Sequence, residues 1–302
     1  MEQISEIRRT LQPYLNWHGA RIGFLALFLV ALFRVKTVNL QELSLGFMGS
    51  AQSASHYKRL QRFFRQFELD YYEVARLVVG LMEIPQPWVL SIDRTNWQYG
   101  DCVFNILMLG VVHQGVAFPL LWVMLDKAGN SNQGERIDLL DEFVSLFPTV
   151  EVAYITGDRE FLGHLWVDYL HNTRHLPLRL RIRHSEKLYD GRRQLTAKVL
   201  FSHLQIGQHS RLRQRRRLWG HWLYVAALRL EAGDLLVVVS DAKPNESIRD
   251  YGQRWGIETL FGCFKTRGFC LESTHLQAPE RLSRMIALLS IALCWGRCII
   301  GI

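Results

Sequence analysis

Along residues 1 to 84 the apolar positions recur at helical spacing, with no β-branched alternation, and the stretch reads as helices throughout. "IGFLALFLVALF", residues 22 to 33, is apolar on every side, the mark of a buried helix. Its run of about 12 residues is short of the roughly 20 that span a bilayer. Arg34 and Lys36 follow it, without a small-residue cleavage site, so it does not read as a signal peptide. "SASHYKRLQRFFRQF" alternates Lys58, Arg59, Arg62 and Arg65 with Leu60, Phe63, Phe64 and Phe67, the pattern of a helix capped at Ser53. Such a basic helix suits a DNA groove, and its charges suit a solvated face on a core helix equally well.

From Pro85 the texture changes. "PWVLSIDRTNW", "CVFNILMLGVVHQ" and "VAFPLLWVML" are apolar runs separated by polar turns and predict three adjacent strands. A helical pattern, "GERIDLLDEFVSLF", is followed by a fourth strand, "EVAYITGD", a helix, "FLGHLWVDYLHN", and a fifth strand, "LPLRLRIR". A meander followed by alternating α and β predicts an α/β layered domain on a mixed sheet. Residues 185 to 245 form a basic segment with strands of their own, "HWLYVAALRL" and "DLLVVVSD". Residues 246 to 302 return to helical spacing. The apolar run from Met285, broken by Arg297, reads as a core or interface helix and reaches the last residue without a cap, which leaves room for a short C-terminal extension. The expected division is thus 1–84, 85–184, 185–245 and 246–302.

Composition adds a partner class. The net charge of +8 and the pI near 9.4 favour a polyanion. The charge is concentrated: from Gly191 to Leu230 nine Lys or Arg stand without a single Asp or Glu. That one segment carries more than the whole net charge. The five cysteines include no C-x-x-C pair, so neither a disulfide framework nor a zinc site is indicated, and the chain reads as cytosolic.

The chemistry concentrates in "YGQRWGIETLFGCFK", where Tyr251, Arg254, Glu258 and Lys265 stand at offsets of 3, 7 and 14. On one continuous helix they form a polar stripe about 60° wide, beside an apolar face of Ile257, Leu260, Phe261 and Phe264. Asp93 closes the predicted strand "WVLSID", and Asp158 closes "VAYITGD". In a mixed sheet the two strand ends can lie side by side, with Glu258 completing a three-carboxylate cluster. Taken singly, each strand-end Asp serves as well as a turn former. Three convergent carboxylates suit hard divalent cations, and two such ions about 3.5–4 Å apart can clamp the attacking and leaving oxygens of a phosphodiester.

"DRTNW" around Asp93, "GDREF" around Asp158 and the Tyr-x2-Arg-x3-Glu-x6-Lys pattern together resemble the DDE transposases of the insertion sequence four family, whose hallmark is this YREK signature. The resemblance runs from about residue 87 to 282. It implies a ribonuclease H-like mixed sheet with flanking helices and a β-rich insertion between the second Asp and the Glu, and the all-helical N-terminal region read from periodicity is expected to bind DNA. By this resemblance Asp93, Asp158 and Glu258 are the metal ligands for two Mg²⁺ ions, with Mn²⁺ as a substitute, and Tyr251, Arg254 and Lys265 contact the DNA backbone near the scissile phosphate. The implied reaction is end nicking, hairpin formation and opening, and strand transfer, on double-stranded DNA carrying the element's terminal inverted repeats and on target DNA. A homodimer on DNA and a nucleoid-associated, bacterial cytoplasmic setting are implied, with no membrane.

Arg213, Arg215, Arg216 and Arg217, together with Lys58, Arg59 and Arg62, are the further DNA-binding candidates, the insertion's arginines as phosphate contacts with steep salt dependence. Trp219 and Trp222 are candidates for stacking on a flipped base, and either serves as well as a strand core residue. Arg159 and Glu160 fit the "DREF" context, with Glu160 equally placed to cap the following helix. Two rival readings share the acids: a nuclease of the same fold that cuts without joining, and an inactive DNA-binding inhibitor derived from a transposase.

Overall fold

The computed structural model describes residues 2–300, so the uncapped end expected at residue 302 lies outside them. Five helices open the chain: α1 (Glu2–Leu11), α2 (Gly19–Val35), α3 (Leu40–Gly46), α4 (Ser53–Gln66) and α5 (Tyr71–Met82). Asn39 and Asp70 cap α3 and α5 by accepting from the amides two and three residues on. At α4 the capping position falls to Gln52, whose side chain makes no cap bond, and Ser53 is already helical, contrary to the expected cap. The apolar helix α2 is buried on nearly all sides, with Leu25, Phe28, Leu29 and Leu32 inaccessible. No single helix among the described residues is long and apolar enough to cross a membrane.

The meander follows as β1 (Trp88–Tyr99), β2 (Cys102–His113) and β3 (Val116–Met124), then α6 (Gln133–Leu146), β4 (Val152–Gly157), α7 (His164–Asp168) continued by a π-helical turn over Tyr169–Thr173, and β5 (Leu178–Ile182). Antiparallel β3-β2-β1 is joined by parallel β4 and β5, which gives the mixed sheet that the α–β alternation predicts. Every residue of β2 from Phe104 to Val112 is buried, so side chains on both faces are covered, as a layered α/β protein requires.

Residues 185–245 contribute β6 (Lys187–Tyr189), β7 (Gln194–Thr196), the short α8 (Ala197–Leu200), β8 (His209–Arg211), β9 (Arg216–Leu218), β10 (His221–Arg229) and β11 (Leu235–Ser240). This β-rich segment does not stand apart from the sheet. Strand β11 pairs antiparallel with β5, and the ladder continues as β5-β11-β10-β9-β6-β7. The chain closes with α9 (Ser247–Gly252), α10 (Trp255–Phe264), a 3₁₀ turn at Leu271–Ser273 and α11 (Pro279–Ile300).

One continuous core joins the N-terminal helices to the sheet and to α11. Arg284 of α11 donates to the carbonyls of Phe64 and Phe67 at 2.7 and 2.6 Å, satisfying the last turn of α4 from outside.

Candidate active site

Strand β1 does not end at Asp93. It runs on with β2 to Tyr99, whereas its parallel pairing with β4 stops at Ile92 and Gly157. Asp93 and Asp158 are therefore the next residues on adjacent strands, at the point where one neighbour leaves and uncovers the other. Gly157 makes the close approach possible, since a Cβ there would lie 3.1 Å from the Cβ of Phe161 and 3.2 Å from the Cγ2 of Ile92.

The stripe of Tyr251, Arg254, Glu258 and Lys265 is carried by two helices, not one. Between α9 and α10 the backbone tightens into i→i+3 bonds, from Gln253 N to Asp250 O, Arg254 N to Tyr251 O and Ile257 N to Arg254 O, at 3.0–3.1 Å. A 3₁₀ turn advances each residue by about 120° instead of 100°. Tyr251 and Arg254 are thereby rotated inward and buried, along with Ile257, Leu260 and Phe264, while Phe261 is only partly covered. At Gly256 the second helix rests on the sheet so closely that a Cβ would lie 3.1 Å from the amide nitrogen of Ala117.

These elements bring Arg254 between two of the acids. Its guanidinium, 3% exposed, donates to Glu258 Oε1 at 2.6 Å and to Asp93 Oδ2 at 3.4 Å. Burial works against that charge, but Tyr251, Glu258 and Asp93 outweigh it and hold the guanidinium above its ordinary pKa. Burial keeps the Tyr251 phenol protonated, and its hydroxyl donates to Asp158 Oδ1 at 3.3 Å, where Arg181 also donates at 3.3 Å. Lys265, just past the end of α10, stands apart from the acids. Its ammonium donates to Asn96 O at 3.0 Å, pairs with Glu272 at 2.9 Å and lies over the Trp97 ring.

Asp93 and Asp158 share a cavity of about 590 Å³ with Arg94, Asn130, Glu160 and Arg181. Glu258 is not on its wall and is tied to the cavity through Arg254, so the expected three-acid convergence is met directly by two. Glu160 stands nearer the chemistry than its sequence context suggests. The helix after it begins at His164, with Gly163 in the capping position, which releases Glu160 to accept from Arg94 at 3.2 Å. Arg94 also donates to Asn105 at 2.8 Å and Asn130 at 3.1 Å, pinning the loop after β3. Periodicity offers no signal for that network, because its members lie in four separate segments. Trp255 was equally silent as an apolar position of a helix, yet it is 61% exposed, with the Arg254 guanidinium 5.2 Å from its ring.

Arg159 also lines the cavity, whereas the candidates of the insertion and of α4 stand away from its wall. Arg213, Arg215 and Arg217 are exposed, and Arg216 is partly covered, donating to the carbonyls of Gln214 and Arg215 at 3.1 Å. Trp219 occupies a left-handed position (φ 49°) in the β9–β10 turn and packs partly on the core. Trp222 is 45% exposed and sits opposite Arg217 in the register. Lys58, Arg59 and Arg62 are exposed on α4, but Arg59 is laid back over the Phe24 ring at 5.1 Å.

Among the described residues no group of three or more His, Cys, Asp or Glu side chains forms a ready-made metal cluster. The donor chemistry nevertheless fits hard divalent cations: Asp93, Asp158 and Glu160 all offer carboxylate oxygens to the cavity, among arginines that pair with them, and burial leaves the charge of Asp93 under-compensated. Burial pushes its pKa up to about 7, against the Arg94 amide and Arg254, which favour the ionised form, and with repulsion from Glu160 and Asp158. The folded value thus lies above the unfolded one, and the stability contributed by Asp93 is whole below about pH 4 and lost as pH rises toward 7. In Asp93→Asn that loss is absent. Chemical denaturation in metal-free buffer is expected to show the variant gaining on the wild type by up to about 1.4 kcal/mol per pH unit across this window. A constant difference would mean that the carboxyl titrates in its ordinary range.

A family model described as a transposase DDE domain matches residues 85–295. No curated protein matches the sequence. Among solved structures, the piggyBac transposase synaptic complex with hairpin DNA is similar over 98% of this chain and 72% of that one, at 14% identity and a TM-score of 0.54. That likeness is one of fold, and it accords with a ribonuclease H-like mixed sheet with flanking helices. An endonuclease V from Bacillus subtilis matches 78% of this chain and 98% of its own at 10% identity, with a TM-score of 0.30, too distant to bear on the site.

Proposed function

Because the chain belongs to the transposase DDE domain family, we propose that it performs cut-and-paste transposition of an insertion sequence of the YREK type, with Asp93, Asp158 and Glu258 as its three acids. The observation that carries this reading is the placement of Arg254. A single buried guanidinium links the Glu of the signature to the first Asp, at the point where β4 leaves β1 beside the second Asp.

DDE transposases generally use divalent metal ions, and such ions, when bound by these carboxylates, would supply the positive charge that polarises a phosphodiester. The chain's own residues do the rest. The Tyr251 hydroxyl orients Asp158 by its hydrogen bond, and burial keeps that phenol a donor at neutral pH. Arg254 is available to exchange its carboxylate partners for a backbone phosphate, bidentately. Lys265 marks the line of β1 beyond Asp93 and serves a flanking phosphate. Trp255, exposed beside Arg254, joins Trp219 and Trp222 as a surface on which an unstacked base can rest. The free 3′-hydroxyl left by the first cut then attacks a phosphodiester of the opposite strand, forming the hairpin bond as the P–O3′ bond to the flanking DNA breaks and leaves a 3′-hydroxyl there, and water opens the hairpin before strand transfer. Two ends must be held together, so the working unit is a homodimer on DNA.

An end-cleavage assay tests the reading: purified protein, Mg²⁺, and labelled DNA comprising the coding region with several hundred flanking base pairs. Hairpinned ends at two fixed positions, lost on chelation, are the expected result. Scattered nicks would instead identify a nuclease that does not join, and binding without any cut an inactive DNA-binding relative.

A further inference from the structure

We propose that the cleft between α4 and the segment leading into α11 is a second DNA site, one that grips a backbone phosphate of the duplex about six base pairs from the carboxylates. The proposal rests on the DNA reading above. The cleft, of about 330 Å³, is walled by Tyr57, Gln61 and Arg65 of α4, Gln41 of α3, and His275 and Arg281 on the opposite side. No Asp or Glu lines it. Among the described residues the side chains of Gln41, Gln61, Arg65 and Arg281 have no partner within the chain, so the fold presents two guanidiniums across one cleft without an anion between them. Two like charges facing an acid-free polar cleft are complementary to a phosphate, which guanidinium groups hold bidentately.

Position supports the same occupant. Tyr57, Gln61 and Arg65 lie within about 80° of one another on the α4 wheel, and Lys58 and Arg62 continue that arc outward by about 60°. Arg59 is on the far flank, over Phe24, and takes no part. At the other end, the His275 ring stacks on Tyr99 at 5.0 Å, and Tyr99 is the last residue of the strand that carries Asp93. From Asp93 to Tyr99 β1 covers roughly 20 Å, with Lys265 lying over Trp97 along the way. At about 3.4 Å per base pair that span corresponds to about six base pairs of B-form DNA. A duplex seated with its scissile phosphate at the carboxylates and its axis along β1 delivers a phosphate to this cleft. The cleft thereby joins the helical N-terminal layer and the catalytic sheet along one duplex.

The test is the salt dependence of binding to a fluorescent duplex, measured for the wild type, Arg65→Ala, Arg281→Ala, the double variant, and Arg65→Lys with Arg281→Lys. Each alanine is expected to reduce the slope of log affinity against log salt by about 0.9, the double variant by about twice that, and the lysines to restore it. Both residues are exposed, so thermal melting is expected to stay unchanged. Once the cleaved ends are known, a neutral methylphosphonate about six base pairs from the cut is expected to weaken wild-type binding and to leave the double variant unaffected. An unaltered slope in the double variant overturns the cleft and leaves the DNA reading intact. A wild type whose binding does not fall with salt overturns both.

Discussion

Asp158→Ala is expected to lower the rate of end cleavage on the order of 10³-fold, about 4 kcal/mol of transition-state stabilisation, while DNA affinity changes by less than about threefold. The asymmetry follows from the role proposed for Asp158. Its carboxylate presents oxygen ligands to the cavity and no donor to a phosphate, so its loss removes a cation's seat without removing a DNA contact. Of its two partners, Arg181 reaches solvent and is not stranded by the change, while the buried Tyr251 hydroxyl gives up one hydrogen bond and no charge. Asp93→Ala and Glu258→Ala are expected to be equally inactive, with one difference. Each leaves Arg254, a buried cation, with a single carboxylate, so these two variants lose stability as well as chemistry. Running gel-shift and cleavage assays on the same preparations separates the effects. Cleavage within tenfold of wild type in Asp158→Ala removes the role assigned to that carboxylate, and lost binding in all three variants points to a structural acid cluster instead.

What could be read from the sequence was local. Strand and helix periodicity gave the three-strand meander, the alternation after it and the buried α2, because each of those segments is covered by core in the way its pattern states. The same reasoning closed the strand at Asp93, a residue that serves equally well as a turn former. The strand continues because Arg94 finds Asn105, Asn130 and Glu160, and Asn105 in turn takes the carbonyls of Lys127 and Gly129. Long-range hydrogen bonds of that kind leave no trace in spacing. The signature from Tyr251 to Lys265 was legible as a set but not as a shape. A uniform 100° per residue places it on one exposed stripe, whereas the tightened turn at Gln253–Arg254 buries its first half and carries Lys265 out to Trp97. The strands of the insertion were visible as strands. That β11 would extend the catalytic sheet through β5 was not, because antiparallel partners are chosen by edges and not by composition.

Arg179→Ala is expected to destabilise the protein by about 3–5 kcal/mol, more than any surface substitution, because it strands two carboxylates at once. Arg179 is only 2% exposed, on β5, in the core of the sheet. Its Nε donates to Asp250 at 3.2 Å and its Nη1 to Asp241 at 3.2 Å and to the Leu178 carbonyl at 2.8 Å, while its guanidinium lies 5.1 Å from the Tyr154 ring. Tyr154 closes the circuit by donating to the Asp250 carbonyl at 3.1 Å. The arrangement fastens the second half of α9 to β4, β5 and the end of β11, and Asp250 is the residue immediately before Tyr251. Truncation therefore leaves Asp241 and Asp250 without their buried counter-charge and frees the first turn of the signature. Lysine is not expected to rescue, since one ammonium cannot reproduce the guanidinium's fork toward both acids. Arg179→Met combined with Asp241→Asn and Asp250→Asn, which removes the charges together, is expected to recover a substantial part of the loss. Urea denaturation of the four proteins decides the matter. If the alanine and triple variants lose the same amount, although methionine fills the position and no charge is left stranded, the guanidinium's own hydrogen bonds, and not the uncompensated carboxylates, account for the loss. If only the alanine and lysine variants fall, the stranded carboxylates account for the loss, and the pairing of Arg179 with Asp250 keeps α9, and with it Tyr251, seated beside Asp158.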